Sequence, residues 1–115
     1  MSDPFRDREK GFEAKYEHDE ALRFRILTRR NKLLGLWVAA EIGKTGRDAD
    51  VYAQALIDYA LVHGAPDALA SRVYADLTNA GVEITRHRLE VRMSKLLHEA
   101  EAKINEERVA GSPSF

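Results

Sequence analysis

The stretch from Asp19 to Gly43, DEALRFRILTRRNKLLGLWVAAEIG, constrains this chain more than any other. Leu22, Ile26, Leu33, Trp37 and Ala40 recur at spacings of three, four or seven, which places them on one face of a helix. Leu27, Leu34 and Val38 widen that face into a stripe. Asp19 suits an N-cap and Glu20 a first turn, where an acid meets the positive end of the helix dipole. Gly43 suits the residue just past the end, because glycine enters the left-handed region without a Cβ clash. Arg23, Arg25, Arg29, Arg30 and Lys32 crowd the first half, and no acid lies between Glu20 and Glu41. The expectation is a central core helix with a buried C-terminal half and a cationic N-terminal half.

Three further helices are expected, each with its own start and stop signals. The second is capped by Asp48 or Asp50 and runs to about Val62, with Val51, Ala55, Leu56, Tyr59 and Val62 inward and Gly64 as its stop. The third runs from about Pro66, since proline fits a first turn and not a helix interior. Its stripe is Leu69, Val73, Leu77 and Ala80, and Gly81 closes it. Thr85 caps the fourth, with Ile84 and Leu89 as a hydrophobic staple but without a capping box, because Arg88 stands where glutamate or glutamine is needed. Leu89, Met93, Leu96, Leu97, Ala100 and Ile104 carry its stripe to about residue 108. No segment alternates long enough for a strand; Val82-Glu83-Ile84 is too short. The fold class is therefore all-α: a four-helix bundle-like domain over 19–108. A mobile or partly helical arm (1–18) precedes it and a disordered tail (109–115) follows.

The arm mixes Asp3, Asp7, Glu9, Glu13 and Glu17 with Arg6, Arg8, Lys10 and Lys15, and its apolar content is thin. Gly11 weakens a helix there by roughly 1 kcal/mol relative to alanine. Two readings stand: a segment that folds as a helix on a partner, burying Phe5, Phe12 and Tyr16, or a solvated extension that serves solubility alone.

Composition narrows the function classes. A chain of 115 residues makes one domain with a modest core, and a formal net charge of −1 argues against bulk phosphate binding. The absence of cysteine removes disulfides, thiolate metal sites and cysteine nucleophiles. The charged N-terminus does not read as a secretory signal, and no apolar run is long enough for a membrane span, so a cytoplasmic protein is expected. Gly43-Lys44-Thr45 hints at a phosphate loop, but Val38 stands where that motif needs its first glycine, Gly35 is three residues too early, and the segment follows a helix instead of a strand. His18, His63, His87 and His98 make no close pair; His87 and His98 are roughly 16 Å apart along a helix. No serine, histidine and acid arrangement stands out. The basic run from Arg23 to Lys32 is interleaved with core residues instead of stacking aromatics, which argues against nucleic acid.

Asp7-Arg8-Glu9, Phe12-Glu13-Ala14-Lys15-Tyr16, His18-Asp19-Glu20 and Arg29-Arg30-Asn31-Lys32-Leu33-Leu34-Gly35-Leu36-Trp37, in that order, resemble the ζ subunit family of the α-proteobacterial F-type ATP synthase, which inhibits its ATPase activity. The likeness is close over residues 5–43. Beyond that, to about 107, it rests on length, helix pattern and the segments Gly81-Val82-Glu83-Ile84 and Leu96-Leu97-His98-Glu99-Ala100. The resemblance implies a four-helix domain whose N-terminal region enters a catalytic α/β interface near the central rotor as a helix. There it blocks rotation in the hydrolytic direction and leaves synthesis largely free. Carried over by position, the inhibitory residues are Phe5, Arg6, Asp7, Arg8, Glu9, Lys10, Phe12, Glu13, Lys15 and Tyr16. Arg23, Arg25, Arg29, Arg30 and Lys32 form a secondary partner surface. The expected partners are the α/β catalytic subunits and the rotor of the synthase head, with no cofactor, no metal, no nucleic acid, no membrane insertion and a monomeric free state. The alternative is a small helical binding module with an unrelated partner, acting through the cationic face of the first helix. A minor third reading is nucleotide sensing by the bundle.

Overall fold

A computed structural model describes residues 19–65 and 67–110. They form four helices, α1 (Glu20–Glu41), α2 (Gly46–Val62), α3 (Ala68–Asn79) and α4 (Arg86–Val109), with no strand among the described residues. The all-α expectation holds, and most helix ends follow from local chemistry. Asp19 caps α1 by accepting the Leu22 N–H at 2.9 Å, and Thr85 caps α4 by accepting the Arg88 N–H at 3.1 Å. Gly43 and Gly81 adopt φ of +86° and +82°. Each opens a Schellman stop: Lys44 N–H reaches Ala39 O at 2.8 Å and Val82 N–H reaches Leu77 O at 3.0 Å. Leu89 is fully buried and Ile84 packs against the same core, so the staple forms.

α1 touches all three other helices. One core cluster joins all four: Leu34 and Val38 of α1, Leu56 of α2, Leu69, Ala70, Val73 and Leu77 of α3, and Leu89, Met93 and Leu96 of α4. A second cluster joins only α1 and α4, through Leu22, Ile26, Leu97, Ala100 and Ile104. α1 and α4 run antiparallel: Arg29 meets Glu107, while further along α1 Trp37 meets Arg92, which lies earlier in α4. The N-terminal half of α1 and the C-terminal half of α4 therefore form a two-helix extension of the four-helix core. Leu33 packs against both clusters and bridges them. Asp19, where the N-terminal segment joins, lies at the outer end of this extension.

α1 and α2 approach closely at Gly35. A Cβ built on Gly35 would stand 2.5 Å from Ala53 Cα and 2.9 Å from Ala53 Cβ. Glycine at 35 is thus what lets the two backbones meet. α2 and α3 are joined at their flank by polar groups. The Tyr52 hydroxyl donates to Asp76 Oδ2 at 2.6 Å, and the Arg72 guanidinium lies over the Tyr59 ring, 4.9 Å from its centroid.

Several sequence expectations are corrected. Ala40 is exposed and Trp37 only partly buried; Leu34 and Val38 are buried as expected, and Gly35 and Ala39 join them because α2 meets α1 on the glycine side. In the N-terminal half Leu22 and Ile26 are buried, as their place on the apolar face predicts, and the helix they meet is α4. Val51 and Val62 of α2 point outward at 59% and 77% exposure, while Ala53 and Leu56 face in. Ala80 is exposed at the α3 C-cap. α2 begins at Gly46 after Thr45, so Asp48 occupies the first turn and neither Asp48 nor Asp50 is the cap. α3 begins at Ala68 after Asp67. α4 extends through Val109, which the sequence reading assigned to the tail. The arm (1–18), Pro66 and residues 111–115 lie outside the described residues.

Candidate partner-binding surface

Phe5, Arg6, Asp7, Arg8, Glu9, Lys10, Phe12, Glu13, Lys15 and Tyr16 all precede the described residues. The secondary surface lies on α1 and divides in two. Arg25, Arg29 and Lys32 follow spacings of four and three and share one side of the helix; Arg23 and Arg30, seven apart, share another. Leu22 and Ile26 lie between the two groups and seat α4 there. The five cations therefore flank a helix contact and do not make one continuous patch.

Each group is tied into the fold in its own way. Arg30 Nε donates to the side-chain oxygen of Asn31 at 2.8 Å, and Asn31 is one of two buried polar side chains among the described residues. Arg29 Nη2 donates to both carboxylate oxygens of Glu107, at 2.9 and 3.1 Å. That hydrogen bond, chiefly, holds the Glu107 carboxyl below its usual range; partial desolvation opposes it, and the charges of Arg29, Arg25 and Lys103 reinforce it. Glu107 escaped the sequence reading. Its only signal is an acid in the final turn of a helix, where the dipole disfavours negative charge.

Elsewhere, the Gly43-Lys44-Thr45 segment is a helix stop and turn. The N–H groups of Gly43 and Lys44 are committed to helix carbonyls and are not free to cradle a phosphate. His63 stacks on Tyr59 with ring centroids 4.1 Å apart, and His87 and His98 are exposed. Among the described residues no three of His, Cys, Asp and Glu are grouped to hold a metal, and no helix is long and apolar enough to cross a membrane.

Compared with known protein families, the chain matches the model described as ATPase inhibitor subunit zeta over residues 1–103. The chain belongs to that family. The zeta match takes in the whole N-terminal segment, α1, α2 and α3, and α4 as far as Lys103. Membership makes this an inhibitor-type subunit associated with an ATP synthase. The last turns of α4, with Ile104 and Glu107, lie beyond the matched stretch. No curated protein was found to match the chain.

Proposed function

We propose that this protein inhibits ATP hydrolysis by the F-type ATP synthase by inserting residues 1–18, as a helix, at a catalytic α/β interface beside the central rotor. The observation that carries the reading is the family match, which begins at residue 1 and so includes the segment itself. Segment chemistry suits the role. A polar stretch with three spaced aromatics buries too little apolar surface to dock firmly on its own body, yet can fold on a partner that supplies pockets. Phe5, Phe12 and Tyr16 act as pocket anchors. Arg6, Asp7, Arg8, Glu9, Lys10, Glu13 and Lys15 set register by charge pairing. The four-helix domain holds the segment at Asp19 and adds contacts from α1. An inserted helix next to a rotor blocks the hydrolytic direction, in which the interface must close on it, and yields in the synthetic direction.

The test is ATP hydrolysis by a purified α-proteobacterial synthase head stripped of its own zeta subunit. The full-length chain inhibits it stoichiometrically, and a chain lacking residues 1–18 does not. Failure of the full-length chain to inhibit a cognate head sinks the proposal. A partner that binds with strong salt dependence, and equally well without residues 1–18, would favour the alternative of a binding module acting through α1.

A further inference from the structure

Residues 104–109 carry α4 more than a turn past the family match, and they return to α1 twice. Ile104 is buried with Leu22 and Ile26. Glu107 places both carboxylate oxygens against Arg29 Nη2. Its own helix offers it the charge of Lys103 but sets it in a last turn, where an acid opposes the dipole. The hydrogen bonds that hold Glu107 come from the cationic side of α1. The Arg25, Arg29 and Lys32 side therefore already binds a carboxylate, one supplied by the chain itself.

We propose that the Arg25–Arg29 side of α1 is a docking site for an acidic segment of the partner enzyme, and that Glu107 is its intramolecular occupant, which such a segment displaces. The pair lies at the surface, with side-chain exposures of 32% and 37%, so a competing carboxylate can reach it. Exchanging one carboxylate for another on the same guanidinium keeps the charge-assisted hydrogen bonds, so the exchange is nearly neutral. A segment with several acids gains in addition from Arg25 and from Lys32, which is exposed. The match ends at Lys103, and this cover lies just beyond it on the same helix. The partner's identity rests on the inhibitor reading above; the chemistry of the surface does not.

Two assays on full-length protein separate these. In the first, a hexaglutamate peptide is titrated into wild type, E107Q and the double variant R25Q/R29Q, followed by backbone amide NMR at low and high salt. E107Q binds the peptide about two- to five-fold more tightly than wild type, the scale of an exposed ion pair. The shifts centre on residues 25–32, the gain vanishes at high salt, and R25Q/R29Q loses the peptide binding itself. In the second, E107Q inhibits the synthase head at a correspondingly lower concentration than wild type, with the same maximal inhibition. Binding of the peptide by E107Q that is no tighter than by wild type, or shifts centred away from α1, overturns the proposal. A peptide gain with no gain on a head that wild type does inhibit overturns the assignment of this surface to the enzyme. A peptide gain with no inhibition by any variant leaves the surface standing and overturns the inhibitor reading.

Discussion

Replacing Gly35 by alanine tests the packing of this fold most directly, because two known effects oppose each other there. In a helix interior, Gly→Ala gains about 1 kcal/mol from backbone entropy. Against that, the new Cβ would sit 2.5 Å from Ala53 Cα and 2.9 Å from Ala53 Cβ. Carbon atoms rest roughly 3.5–4.0 Å apart, so α1 and α2 must separate by about 1 Å. A gap of that size forfeits about a quarter to a half of the dispersion well along the contact, where Leu34, Val38 and Leu56 are fully buried. Overpacking costs about 1–3 kcal/mol, and the upper end applies here because the nearest obstruction is backbone that cannot rotate aside. The net is a loss of about 2 kcal/mol, which lowers Tm by about 8–16 °C for a domain of this size. Thermal and urea unfolding followed by circular dichroism at 222 nm measures it. Gly64→Ala is the control: nothing lies within 4 Å of its added Cβ, and it should be near neutral. Ala53→Gly removes the 2.9 Å clash and leaves the 2.5 Å one, so the double variant recovers only in part. A Gly35→Ala protein as stable as wild type would refute the close approach.

Tyr52→Phe removes the hydroxyl that donates to Asp76 and should cost about 1–2 kcal/mol in urea unfolding. Burial first, and Asp76 second, push the Tyr52 phenol up, so the fold retains this proton longer than the unfolded chain does. Its contribution is full below the ordinary tyrosine pKa of about 10 and is lost as pH rises through the folded value; that alkaline loss should shrink in Tyr52→Phe unfolding measured across the range. Ile26→Ala, in the two-helix extension, should cost about 2–3 kcal/mol, while Leu56→Ala, in the four-helix core, should cost about 4–5 kcal/mol, because the extension can collapse around the loss. Equal costs in urea unfolding would contradict the division of the core. Gly11→Ala should strengthen inhibition about five-fold by favouring the helix proposed for the partner-bound N-terminal segment; unchanged potency in the hydrolysis assay would mean residue 11 is not helical there.

Much of the fold was legible because helix punctuation is local chemistry. Asp19 and Thr85 as caps, Gly43 and Gly81 as stops, and the Ile84–Leu89 staple each depend on a few neighbouring residues. Which side of a helix faces in depends on residues far away in sequence, and there apolarity misled. Val51 and Val62 looked like core and are solvent-facing, whereas Gly35 and Ala53, which carry little hydrophobic signal, let α1 and α2 meet backbone to backbone. Small residues are chosen at such places for the space they leave, and a hydropathy pattern does not register space. The cationic run on α1 was visible as charge. Its division into two sides, and the capture of Arg29 by Glu107 from 78 positions along the chain, required the antiparallel pairing with α4.

The separation of the apolar core into two clusters has a mechanical consequence. A pull delivered at Asp19 is borne first by Leu22 and Ile26, which grip only α4, and reaches the four-helix cluster only through Leu33 and the body of α1. Under load the extension yields before the core, as a fuse does. On the proposed reading, in which the synthase holds the N-terminal segment, tension on that segment would open the α1–α4 extension and leave the four-helix cluster folded.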